Sequence, residues 1–307
     1  MSRLAVVGSY NASMFFRGER APGPGETVIG DGYWLSAGGK GSNQAIAAKY
    51  QGADVGFVGK LGADAFGDEA IAMYCRVGLS TDLILRDGSA HTGVAGIFID
   101  AEGANRIMVC PGANLKLTAA EMVDGARGAA LAGFQLENDL SAVAEAICAL
   151  RQRGVQTLLD PAPAAPLPVE VYQNLSFIKP NEHEAAALTG IAVQGADDAF
   201  RAADELVARG VGCAIVTLGG GGVVAVGRGL RAFVPALDVR AADTTGAGDV
   251  FCGALMAGIV AGWPLLASIE YANCAGALSV TRMGVLEATP DRRETEAAYA
   301  AWRAAHG

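Results

Sequence analysis

The chain has 307 residues, 51% of them hydrophobic, with 42 glycines and a formal net charge of −9. That length suits one large α/β domain or two small ones. The acidic balance, with no Lys/Arg run, argues against a nucleic-acid or anionic-membrane surface. Six scattered cysteines (Cys75, Cys110, Cys148, Cys213, Cys252, Cys274) without a C-x-x-C pair read as reduced thiols of a cytoplasmic protein. The start has no secretory pattern, and no apolar run reaches membrane-span length. The nearest approach, residues 250–262, is interrupted by Gly253, Gly258 and Gly262 and reads as a core helix.

In chain order, "LAVVG" (4–8) opens as a buried strand, and 10–35 has no helical period and many turn residues. "NQAIAAKY" (43–50) is helical, "DVGFVG" (54–59) a strand and "FGDEAIAMYCRVG" (66–78) a helix. Residues 92–110 read as two strands joined by a glycine-containing hairpin loop. A helix over 118–131 opens with Thr118 and Glu121 at capping-box spacing. Next come a strand (133–137), a helix (141–154), strands at 155–160 and 175–180, a helix (197–210) and a strand (213–219). Gly154 and Gly210 suit left-handed helix ends. Strands alternating with helices predict a mostly parallel sheet covered on both faces. The irregular stretches 10–35 and 92–110 are extra β structure, either a flap or edge strands of the main sheet.

Ligands of open α/β sheets bind beyond the carboxyl ends of the strands. The loops there are "GSYNAS" (8–13), "AGGKGSNQ" (37–44), "PNEHEA" (180–185) and "LGGGG" (218–222). In the second, glycines let backbone approach a ligand while Lys40 and Asn43 supply donors. Familiar motifs fail. "GGKGS" lacks the Ser or Thr directly after Lys40, no G-x-G-x-x-G fits, and the zincin partner of His183 would be Ala187. Three histidines and no G-x-S-x-G leave little room for metal or triad chemistry based on histidine.

"AADTTGAGDVFC" (241–252) is the most informative stretch, because a glycine-rich turn opening a helix binds anions. The carboxylate of Asp249 at that mouth makes sense if a phosphate and a hydroxyl meet there. The N–H groups of residues 246–249 (Gly246, Ala247, Gly248 and Asp249) would take the developing charge, and Asp249 would accept the hydroxyl's proton. Taken singly, these residues have plainer readings. The glycines fit a helix-entry turn, Asp249 a helix-dipole acid, and Lys40 a solvated charge. Asn181 and Glu184 fit helix capping.

"TTGAGDVFCGAL" and "GGKGSNQAIAA" resemble the two signature regions of the ribokinase-like (PfkB) carbohydrate kinases. "GSYNAS", "PGETVIG", "FVGKLGADAFGD", "GANLKLT", "QLE", "PAPA", "KPNEHEA" and "VTLGGGG" follow in the order of the family's ribose kinases, along nearly the whole chain. The resemblance implies one kinase domain over 1–307, a three-layer α/β/α body with a small β-sheet lid from about 10–35 and 92–110. It also implies a homodimer formed through that lid. The sugar would be held by Asn11, Gly39, Lys40, Asn43 and Glu137, with Ser13 beside it and Asp249 as base. ATP would lie over Thr217, Gly219, Gly220 and Gly222, near Asn181, Gly248 and Asn273. Asn181 and Glu184 would organise magnesium, partly through water. Asp243, Thr245, Arg282 and Gly284 would surround a monovalent cation, usually potassium.

Two positions depart from the family. Ser13 replaces an aspartate that accepts bonds from two sugar hydroxyls, and Ala288 replaces a serine near the cation. Arg17, in the lid stretch, could meet an anionic acceptor or be a solvated charge. The expected activity is ATP-dependent phosphorylation of a primary hydroxyl of a pentose, ribose first. The alternatives are another acceptor (deoxysugar, ketohexose, sugar acid or nucleoside) or a non-catalytic sugar or nucleotide sensor. A dehydrogenase is disfavoured by the missing dinucleotide fingerprint.

Overall fold

A computed structural model describes residues 4–306. In chain order β1 (Leu4–Val7) leads into β2 (Asn11–Arg17), β3 (Gly32–Gly38), α1 (Lys40–Tyr50), β4 (Val55–Gly62), α2 (Ala65–Arg76) and β5 (Ile84–Asp87). Then come β6 (Val94–Ile99), β7 (Asn105–Cys110), α3 (Ala119–Gly125), β8 (Leu131–Phe134), α4 (Leu140–Gln152) and β9 (Gln156–Leu159). The second half holds α5 (Val169–Asn174), β10 (Phe177–Ile178), α6 (Glu182–Thr189), α7 (Ala196–Ala208) and β11 (Cys213–Thr217). It ends with β12 (Val223–Gly227), β13 (Leu230–Val234), α8 (Ala247–Val260), α9 (Leu265–Ser279) and α10 (Arg292–His306).

Nine strands form one sheet in the order β13-β12-β11-β10-β9-β8-β1-β4-β5. It is parallel from β11 to β5, with β12 and β13 added antiparallel at one edge. Alternation along the strands feeds two cores. In β1, Leu4 and Val6 join the core beneath α1, α2, α8 and α9, while Ala5 and Val7 join the core beneath α3, α4 and α7. Helices on both faces of a parallel sheet give the three layers expected from the sequence.

The two irregular stretches form a separate four-stranded sheet, β3-β2-β6-β7, so they are not edges of the main one. The capping box at Thr118 and Glu121 is present, but α3 stops at Gly125 instead of running to 131. Gly125 and Gly128 weaken that segment as a helix, and Leu131 already belongs to β8. That strand ends at Phe134, leaving Gln135 to Glu137 in the loop beyond it. Gly154 and Gly210 do carry positive φ, 79° and 113°. Among the described residues no helix is long and apolar enough to cross a membrane.

Candidate active site

The carboxyl ends of β9, β10 and β11 and the start of α8 enclose a cleft of about 870 Å³. Its lining includes Lys40, Asn181, Glu184, Thr217, Gly219, Gly220, Gly222, Asn273 and the run Gly246 to Asp249. All of these were expected from sequence. At its centre Gly246, with φ 77°, lets the chain turn into α8. Ala247 and Asp249 donate within that turn, to Thr244 O at 3.3 Å and Gly246 O at 3.0 Å. The N–H groups of Gly246 and Gly248 make no bond to the described residues and are left for a ligand at the positive end of the helix.

Asp249 is buried, and both its oxygens are held. Asn43 Nδ2 donates to Oδ2 at 2.8 Å, and Gln44 Nε2 donates to Oδ1 at 3.1 Å. Gln44 Nε2 also donates to Asp160 Oδ2 at 2.8 Å, while its Oε1 accepts from Gln135 Nε2 at 2.6 Å. Asp160 in turn pairs with Lys179 at 2.9 Å, both almost fully buried. Burial first, then the nearby charge of Asp160, push the Asp249 carboxyl above its ordinary value, against Lys40, Asn43 and Gln44. Asp249 is the main cause holding the largely buried Lys40 well above the ordinary lysine value, against the cost of burial. A base with a raised pKa at the mouth of an anion site is suited to taking a proton while a phosphoryl group approaches.

Asn11, Ser13, Gly39 and Glu137 do not line this cleft and lie about the junction of β2, β3 and α1, at the root of the small sheet. The Lys40 N–H donates to Glu137 Oε2 at 2.9 Å, and the Ser9 hydroxyl donates to the same oxygen. Gly39 bridges to this group by close approach. A Cβ there would lie 2.6 Å from Tyr10 Cα and 2.7 Å from Asn11 N, and φ is 89°. Ser13 lies against Gly38, where a Cβ would meet its hydroxyl at 2.5 Å.

Around the nucleotide side, Gly219 and Gly220 have open space where side chains would stand, so a flat ring can lie against the loop. Asn273 lines the cleft and gives its amide to Pro235 O at 2.8 Å. Asn181 and Glu184 realise the capping reading: Asn181 Oδ1 accepts from Glu184 N and Glu184 Oε2 from Asn181 N, at 2.9 and 2.8 Å. That leaves Glu184 Oε1 without a partner among the described residues. Burial, then Asp160, raise the pKa of this carboxyl, as expected where a cation would be welcome. One carboxylate oxygen facing a phosphate site fits magnesium, which usually takes few protein ligands.

Asp243 accepts from Thr245 N at 2.9 Å and Gly284 N at 3.1 Å, tying two loops together behind α8. Burial opposes its ionisation, yet these bonds hold its pKa below the ordinary value. This is the loop where the resemblance implies a monovalent cation, and Asp243 is its anionic group. Arg282 turns its guanidinium to Glu294, so any part it takes there falls to its main chain.

Sequence reasoning missed Gln44, Asp160 and Lys179. The signal was available for two of them. Asp160 and Lys179 are charged residues directly after β9 and β10, at the strand ends where open α/β sheets bind ligands. Gln44 was hidden beside Asn43.

Residues 1–292 match the family described as pfkB family carbohydrate kinase. The chain is 35% identical over 297 residues to a ribokinase of Haemophilus influenzae, covering 95% of this chain and 96% of that protein. It is 34% identical to a deoxyribokinase of Salmonella typhi, covering 94% and 95%. Among solved structures, Arabidopsis thaliana ribokinase complexed with ribose and ATP superposes with a TM-score of 0.90 at 29% identity, covering 97% and 98%.

Proposed function

The chain belongs to the pfkB family of carbohydrate kinases and is an ATP-dependent sugar kinase, and we propose that its acceptor is a pentose, ribose first, phosphorylated on its primary hydroxyl. The observation that carries the chemistry is the meeting, at the start of α8, of the Asp249 carboxylate with the free N–H groups of Gly246 and Gly248. The acceptor lies among Asn11, Ser13, Gly39, Lys40, Asn43 and Glu137, beneath the small sheet acting as a lid on a single kinase domain. Asp249 takes the proton of the attacking hydroxyl. The Gly246 and Gly248 N–H groups, with Ala247 shaping the turn, receive the charge that develops on the transferred phosphoryl. ATP lies along Thr217, Gly219, Gly220 and Gly222, near Asn181 and Asn273.

Magnesium would be held from Asn181 and Glu184, partly through water, and would neutralise phosphate charge. Potassium would be held by Asp243, Thr245, Gly284 and the main chain of Arg282, and would rigidify the loop before α8. Ala288 offers it no hydroxyl. The open face of the lid, with Tyr33, Leu35 and Met108 60%, 53% and 70% exposed, supports pairing of two copies through it. Six free cysteines support a reducing, cytoplasmic setting.

The acceptor assignment is tested by ATP consumption with magnesium and potassium present, one acceptor at a time: ribose, deoxyribose, other pentoses, fructose, sugar acids and nucleosides. Ribose is expected to give the highest kcat/KM, and a higher value for another acceptor replaces it. Ser13 keeps deoxyribose in view, since a lone hydroxyl offers less to two sugar hydroxyls than a carboxylate does. Ser13→Asp is therefore expected to raise kcat/KM for ribose by about ten-fold. An unchanged value means that Ser13 does not set the preference.

The raised pKa of Asp249 fixes the sign of the pH dependence. The base must be ionised, so kcat/KM falls as pH drops through that pKa, at a pH above the ordinary aspartate value of about 4. Lys40→Met removes the largest effect opposing the rise and is expected to move this acid limb to higher pH. An acid limb that stays put in the variant separates Lys40 from the base.

A further inference from the structure

Where β2 and β6 leave the main body, the side chain of Asn114 is tied into a knot with Tyr10 and Asn11. Asn114 is 1% exposed and Asn11 3%. Tyr10 N donates to Asn114 Oδ1 at 3.0 Å, and Asn114 Nδ2 donates to Tyr10 O at 2.8 Å and to Asn11 Oδ1 at 3.1 Å. Asn138 Nδ2 anchors Asn114 from behind through its main-chain oxygen at 2.9 Å. Gly93 closes the remaining side. A Cβ there would lie 2.3 Å from Asn114 Nδ2 and 2.4 Å from Asn11 Oδ1, so only glycine leaves room.

The polarity of this knot follows from its backbone partners. A peptide N–H only donates and a carbonyl only accepts, so Tyr10 forces the Asn114 oxygen toward its N–H and the amide group toward its carbonyl. The second amide hydrogen of Asn114 then faces Asn11, which must present its oxygen in return. What remains of Asn11 is its own Nδ2, with no bond to the described residues, on the strand face shared with Ser13.

We propose that Asn114 is a positioning residue for the acceptor, holding Asn11 so that its two N–H donors are offered to the sugar. This rests on the reading of Asn11 as an acceptor-binding residue. It commits the acceptor to placing an oxygen lone pair, from a hydroxyl, ring or carbonyl oxygen, against Asn11. Asn114→Asp keeps an oxygen for the Tyr10 N–H but sets a second one against Tyr10 O and Asn11 Oδ1, which turns the Asn11 amide over.

The test is a double-mutant cycle in the full chain of Asn114→Asp and Asn11→Ala, reading kcat and KM for acceptor and for ATP. The acceptor used is the one with the highest kcat/KM in the panel above. Failure of ribose there overturns the pentose reading while leaving the cycle readable. Asn114→Asp is expected to raise the acceptor KM about ten-fold or more, with the ATP KM unchanged. In the Asn11→Ala background the same substitution is expected to change the acceptor KM less than about two-fold. Equal effects in both backgrounds, or an unmoved acceptor KM, overturn the proposal. If Asn114→Asp does not accumulate as folded protein, Asn114→Ser carries the same cycle, because its hydroxyl still accepts from Tyr10 but cannot reach Asn11.

Discussion

Asp249→Asn lowers kcat by about a hundred- to ten-thousand-fold, the range by which positioned general bases act, while ATP binding stays close to that of the unsubstituted protein. The substitution preserves shape but sets an amide NH2 against one of the two donors, Asn43 Nδ2 or Gln44 Nε2, so it removes one hydrogen bond as well as the ability to take a proton. The proposed nucleotide loop from Thr217 to Gly222 and the free N–H groups at the start of α8 are untouched. Initial rates give the first quantity and titration calorimetry with ATP the second. Turnover within about ten-fold of the parent would remove Asp249 as the base.

Lys179→Met destabilises the protein by about 3–5 kcal/mol, because it strands a buried carboxylate. Asp160 is 1% exposed, its ammonium partner stands 2.9 Å away, and its other oxygen already accepts from the same Gln44 nitrogen that serves Asp249. Removing the cation leaves two carboxylates bridged by one neutral amide. Adding Asp160→Asn to the same chain is expected to restore most of the stability, since no unpaired charge remains. Chemical denaturation of the single and double variants measures both steps. A single variant as stable as the parent, or a double variant no better than the single, would show that the pair is not the issue.

Much of this architecture was legible because its signals are local. Alternating apolar strands and helices gave the parallel sheet, while the absence of helical period at 10–35 and the hairpin pattern at 92–110 marked extra β structure without separating a flap from edge strands. The glycine turn before Asp249 predicts an anion site without any knowledge of the fold. The extent of α3 was misread because its apolar spacing continues past Gly125 and Gly128, where propensity and not spacing decides. The hydrogen-bond network behind Asp249 was legible only in part, through Asp160 and Lys179 at strand ends. Gln44, Asp160 and Lys179 lie far apart in sequence, and only folding brings them together. Asn114 is a further case: its string served to establish order along the chain, while its hydrogen-bonding is a property of three-dimensional contact with Tyr10 and Asn11.

At Gly253, α8 runs against α1 so closely that a Cβ would stand 2.5 Å from that of Ala47 and 2.7 Å from Gln44 O. The helix bearing Asp249 and the helix bearing Asn43 and Gln44 therefore move as one block. The small sheet carrying Ser13 joins the body at Tyr10, Gly39, Gly93 and Pro111, and Gly39 leads straight into α1. The proposed acceptor contacts are thus divided between that sheet, which carries Asn11 and Ser13, and the α1–α8 block, which carries Lys40 and Asn43. A substitution of Ser13 on β2 alters one part of that proposed pocket, whereas a change that separates α1 from α8 draws Asn43 and Gln44 away from Asp249.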